Sequence, residues 1–122
     1  MQTTERQVGH VTFVDLHGAM TLDGSTGQLA DTITSLLVSG RTSVVVNLAG
    51  VHYIDSEGLG QLVTCHSLLA KTGGRLKLLH VGTRHLRLLS ITGLLSIFET
   101  FESEEEAIRS FPELLAESSP QS

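Results

Sequence analysis

The apolar positions of this chain alternate between two spacings, and the change from one to the other marks its most informative stretch. Val44, Val45 and Val46, continued by Leu48, are apolar at consecutive positions, as in a strand covered on both faces. After Asp55-Ser56-Glu57-Gly58 the pattern becomes helical, with Leu59, Leu62, Val63, His66, Leu69 and Ala70 on one stripe. A strand, a short loop and a helix are therefore expected, with Ser56 at the hinge. Asp55 suits the N-cap, where a carboxylate accepts from first-turn amides. Ser56 would then stand in a first turn whose unpaired amides and dipole favour added negative charge.

The same two spacings organise the rest. Met1 to Gln7 is polar and expected to fray. Val8 to His17 is rich in β-formers and predicts a strand with Val11, Phe13 and Val14 inward, broken by Gly18, with a second short strand over Ala19 to Leu22. His10 and His17 are separated by an odd number of residues, so a strand would point them to opposite faces. Ser25 and Gln28 have capping-box spacing ahead of a helix carrying Leu29, Ile33, Leu36 and Leu37, ended by Gly40. A strand is expected over 42–48, the central helix from Ser56 to about Lys71, and a buried strand through Leu76, Leu78, Leu79 and Val81. Thr83 would cap a third helix that stops near Gly93, and Leu95 to Phe101 would be a last strand. Ser103 and Glu106 form a second capping box for a helix to about Phe111. Pro112 leads into a C-terminal tail, Glu117 to Ser122, that is expected to be disordered.

Alternation of strands and helices at this spacing means an α/β domain with right-handed crossovers. The 122 residues suffice for one domain with a real core, and 40 % hydrophobic with 17 % charged residues is the balance of a soluble globular protein. No apolar run is long enough to cross a bilayer and no signal-peptide pattern opens the chain, so a cytoplasmic protein is expected. A net charge of -5, with no basic cluster beyond Arg84 and Arg87, argues against nucleic acid and membrane as partners. The single Cys65 excludes an internal disulfide and any all-cysteine metal site.

Three chemistries can be weighed at the hinge. Ser56 has the strand–turn–helix setting of a hydrolase nucleophile, but Ile54 stands where that strained turn needs glycine, and no base–acid pair is recognisable. His66 shares an apolar stripe and is better explained as a satisfied core histidine. Gly58-Leu-Gly60 lacks the third glycine of a dinucleotide site, and there is no phosphate-loop lysine. The six histidines are scattered without metal-ligand spacing, and Glu104 to Glu106 complement their own helix dipole. No catalytic residue, metal or cofactor is expected. What remains is a recognition surface around the first turn of the central helix.

The stretch Tyr53-Ile-Asp-Ser-Glu-Gly-Leu-Gly60, following Val44 to Leu48, resembles the signature of the phosphorylatable-serine anti-sigma-factor antagonists of the STAS family. The resemblance extends to Gly73-Gly-Arg-Leu-Lys-Leu-Leu79, to Ile91-Thr-Gly-Leu94 and to 98–111, and so runs from about Val8 to Phe111. It implies a single STAS domain over 8–111, a mixed, mostly parallel sheet of four to five strands packed with about four α-helices, and flexible termini at 1–7 and 112–122. It implies a non-enzymatic bacterial regulator of transcription that binds an anti-sigma factor, typically a serine kinase, and releases a sigma factor. That kinase phosphorylates the serine after the motif's Asp, here Ser56, ending the contact until a phosphatase resets it. The protein would be a monomer or weak dimer.

Roles follow by position. Ser56 is the expected phosphoacceptor. Asp55, Glu57, Gln61 and Thr64 are expected partner contacts, extended by Asp23 and Ser25 in a neighbouring loop; Gly58 and Gly60 are expected to permit close packing. Two features depart from the family pattern: Glu57 replaces a small hydroxyl residue, and the Gly18-to-Asp23 turn is longer. The alternative is a STAS scaffold subunit of a signalling or lipid-transport assembly, without a phospho-switch.

Overall fold

The computed structural model describes residues 1–21 and 28–112. The expectations for Asp23, for Ser25 and its capping box, and for the tail beyond Pro112 lie outside the described residues. Among the described residues five strands form one mixed sheet in the order β1-β2-β3-β4-β5: β1 (Gln2–Val8), β2 (Val11–Met20), β3 (Ser43–Ile54), β4 (Arg75–Leu79) and β5 (Thr100–Phe101). Only β1 and β2 are antiparallel; β2 to β5 are parallel. Among the described residues four α-helices accompany them: α1 (Gln28–Val38), α2 (Ser56–Lys71), α3 (Thr83–Ile91) and α4 (Glu104–Arg109).

Neighbouring residues on the central strands serve opposite faces, as the two-residue period requires. Val14, Val46 and Leu78 join the larger core under α1, α2 and α3, with Leu29, Ile33, Leu62, Cys65, Leu69 and Leu89. Phe13, Val45 and Leu79 face the other way, into a smaller cluster closed by Ala107 and Phe111. Cover on both faces is why Val44 to Val46 can be apolar without alternation. Burial also pushes the Cys65 thiol up to about 12.

Polar groups fasten the second face. Arg6 of β1 pairs with Asp15 of β2 (Nε to Oδ2 2.5 Å) and with Glu104 of α4 (Nη2 to Oε2 2.9 Å), while its guanidinium carbon stands 4.8 Å over the Phe13 ring. Asn47 of β3 donates to Asp15 at 2.9 Å. The Arg6 hydrogen bond holds the Asp15 carboxyl below the ordinary carboxylate range, against a smaller desolvation effect. The buried Lys77 ammonium donates to Ser110 O and Oγ, both at 3.0 Å, and lies 4.4 Å from the Phe111 ring centroid.

Several boundaries differ from the sequence expectation. Residues 2–8 are a paired edge strand, not a frayed end, because Arg6 is held by two carboxylates and β1 pairs with β2 along its length. β2 continues through Gly18, which takes φ +111, instead of restarting at Ala19. β3 extends to Ile54 beyond the expected end at Leu48, with register shifts against β2 absorbing the irregularity. The last expected strand is shorter: Leu95–Ile97 is a 3-10 turn and only Thr100 and Phe101 pair. The α3 N-cap is Gly82, not Thr83, and no side chain caps that helix.

Candidate functional site

β3 delivers the chain to α2 through Ile54, which is buried, and Asp55. The Asp55 amide donates to Met20 O at 3.1 Å, pinning the loop to the end of β2. The Asp55 side chain accepts from Gly58 N at 2.9 Å, and its carbonyl accepts from Leu59 N at 2.9 Å. This is a side-chain N-cap, with Asp55 in extended backbone geometry (φ -97, ψ -175). Ser56 is the first residue of α2, a 16-residue helix, and is exposed. Helix geometry leaves the amides of Ser56 and Glu57 without an intrahelical acceptor, beside the positive end of the dipole.

Gly58 allows this arrangement. A Cβ there would stand 2.2 Å from Met20 O and 2.8 Å from Met20 C, so α2 approaches the end of β2 more closely than any side chain permits. Gly60 does not share that role. It is exposed and a Cβ on it would meet nothing within 4 Å, so its expected packing function is corrected. Its effect is to leave bare backbone one turn after Ser56.

Ser56, Glu57, Gly60 and Thr64 are all exposed and fall within an arc of about 100° on α2, at 100° per residue. The structure thus brings the expected phosphoacceptor together with Glu57 and Thr64 on one solvent face. Gln61 departs from expectation, since its Nε2 and Oε1 are both buried and find no hydrogen-bond partner among the described residues. Its position beside the exposed arc suited a contact residue, but its amide turns inward. His66 also differs from the satisfied core histidine expected: its ring packs edge-on against Phe98, centroids 5.4 Å apart, and its buried Nδ1 has no hydrogen-bond partner among the described residues. His85 donates from Nε2 to Val51 O at 2.9 Å. Among the described residues no three His, Cys, Asp or Glu side chains gather into a metal site. No helix among them is long and apolar enough to cross a membrane.

Sequence reasoning missed the surface beside this face. Tyr53, at the end of β3, and Ile91, at the end of α3, are 50 % and 76 % exposed and flank a shallow groove. The signal was present in part: extending β3 past Leu48 would have placed Tyr53 next to the site.

A mixed five-stranded sheet with an exposed serine at the mouth of the helix after its central strand defines a class, and the chain belongs to it: the STAS domain family, whose model matches residues 3–107. The particular relatives are regulators of sigma factors. An anti-sigma-B factor antagonist of Bacillus subtilis is 39 % identical over 62 residues, 51 % of this chain and 57 % of that protein. The match therefore spans little more than half the length of that relative. The anti-sigma-B factor antagonist of Staphylococcus aureus (strain NCTC 8325 / PS 47) is 35 % identical over 78 residues, 64 % of this chain and 72 % of its own. In structure the chain is similar to the Bacillus cell-fate determinant SpoIIAA in its phosphorylated form, with a TM-score of 0.70 and 22 % identity over 89 % of this chain and 98 % of that one. That likeness shows a shared fold.

Proposed function

We propose that the protein is an anti-sigma-factor antagonist: it binds an anti-sigma factor with serine kinase activity, frees a sigma factor, and is switched off when that kinase phosphorylates Ser56. A phosphatase restores the active form. The observation that carries the reading is the exposure of Ser56 at the first position of α2, with the Asp55 cap behind it and a small, polar, open helix face around it. The 39 % identity to an anti-sigma-B factor antagonist supports it. In this reading the protein performs no chemistry of its own, acts in the cytoplasm, and works as a monomer or weak dimer.

The physics of the switch is local. A phosphate adds about -1.5 to -2 charges at pH 7. In the free domain that charge sits in water at a helix N-terminus, where it is tolerated. Under a bound partner it must be desolvated beside Asp55 and Glu57, which are of like sign. A loss of about 3 kcal/mol there weakens binding roughly a hundredfold. Asp55 orients the helix mouth, Glu57 and Thr64 contact the partner, and Gly60 lets the partner lie against bare backbone.

The experiment is phosphorylation by a purified serine-kinase anti-sigma factor from the same genome, with ATP, followed by mass-spectrometric mapping. One phosphate on Ser56, absent from Ser56→Ala, is the expected result. Modification elsewhere, or none, refutes the reading.

A further inference from the structure

Next to the Ser56 face lies a groove of about 280 Å³ whose apolar walls are Tyr53, Ile54, Leu88 and Ile91 and whose flanks carry Arg84 and Arg87. Ile54, one of its lining residues, ends β3 two residues before Ser56, so the groove adjoins the loop that carries the serine. We propose that this groove is a second contact, not itself phosphorylated, for the protein that covers Ser56, and that it receives a large apolar side chain flanked by carboxylates. The proposal rests on the partner-binding reading of Ser56 and adds the chemistry by which the partner is recognised.

Three observations carry it. Tyr53 and Ile91, half and three-quarters exposed, both hold apolar surface in water along one concavity rather than singly on a convex face. The charge pattern of α3 also works against the helix itself. Arg84 lies in the first turn and Arg87 one turn on; no acidic residue occurs anywhere in Thr83–Ile91. Cations at a helix N-terminus oppose the dipole, and like charges three residues apart repel. Neither arginine forms an ion pair with any described residue, although Arg6 and Lys77 do so. Finally, the whole chain is acidic, at -5, so this exposed pair is a local reversal of sign. Two unpaired guanidinium groups beside an apolar slot select a partner with an acidic rim and an apolar anchor, and set its association rate and specificity.

The test uses the full chain and the purified anti-sigma kinase from the same genome, with affinities measured calorimetrically at low and high salt. The variants are Arg84→Glu with Arg87→Glu, Ile91→Asp, and, in parallel, Ser56→Asp; all four residues are exposed, and melting curves verify folding. Tenfold or greater weakening by the double reversal at low salt, a flatter salt dependence, and tenfold weakening by Ile91→Asp are the expected results. Groove variants that bind within twofold of wild type while Ser56→Asp is weakened overturn the groove and leave the switch standing. The converse, weakened groove variants and an unaffected Ser56→Asp, supports the groove and removes the switch. If the groove variants instead alter only self-association in sedimentation, the occupant is a second copy and the proposal fails. A wild-type protein that does not bind the kinase at all overturns both readings.

Discussion

Two glycines in the same helix, two positions apart, should respond to alanine with opposite sign. At Gly60 the added methyl meets nothing within 4 Å and the residue is exposed, so only the backbone term acts. Alanine in a helix is favoured over glycine by about 0.5–1 kcal/mol, partly through the unfolded chain. Gly60→Ala should therefore stabilise the fold by that amount. At Gly58 the same gain is opposed by a Cβ placed 2.2 Å from Met20 O, a backbone atom that cannot rotate away. Clearing the contact means moving the start of α2 or the end of β2 by about 1 Å, and Asp55 N to Met20 O is the hydrogen bond most exposed to that movement. Overpacking of this kind costs about 1–3 kcal/mol, and the loss of a hydrogen bond adds about 1 kcal/mol. The net for Gly58→Ala is a destabilisation of about 1–3 kcal/mol after the helix gain is subtracted. Urea denaturation of the two variants and wild type measures both, and melting points should separate by several degrees. A Gly58→Ala protein as stable as wild type would refute the claim that close approach of α2 to β2 sets the position of Ser56.

Two further outcomes follow from the ionisable groups. Asp15 titrates lower in the folded protein than in the unfolded chain, so its contribution is complete above the ordinary Asp value near 3.9 and is lost as pH falls through the folded value. Wild-type stability should therefore drop more steeply than that of Asp15→Asn below about pH 4, as read by denaturation at stepped pH; parallel slopes would contradict the Arg6 pairing. Cys65, buried and pushed up to about 12, should not react with a disulfide reagent at pH 8 until urea unfolds the chain. Rapid labelling of the native protein would show that α2 opens from the sheet.

How far the sequence carried this picture depended on how strongly each element signals by itself. β3, α2 and the Asp55 cap were legible because an unbroken β-branched run, a helical stripe and a capping residue agree over consecutive positions. β1 was not, because its residues, Gln-Thr-Thr-Glu-Arg-Gln-Val, carry no apolar alternation; pairing with β2 and the Arg6 ion pairs hold it, and both are long-range. The end of β3 was misplaced because Ala49-Gly50 looks like a break. Gly50 is instead a close approach inside the strand, where a Cβ would stand 2.5 Å from His17 Cδ2. At the site, spacing alone put Glu57, Gln61 and Thr64 on one face, yet the inward turn of the Gln61 amide is a rotamer choice that periodicity does not encode. In sequence Gly58 and Gly60 share the same expected packing role, and only the distance to the neighbouring backbone separates the two.

The most direct measurement compares one protein in two states: calorimetric affinity for the purified anti-sigma kinase before and after stoichiometric phosphorylation of Ser56, with a melting curve for each. The phosphorylated form should bind with an affinity roughly a hundredfold lower, and the two stabilities should lie within about 1 kcal/mol of one another. Equal affinities, or a phosphorylated domain that no longer melts cooperatively, would contradict it.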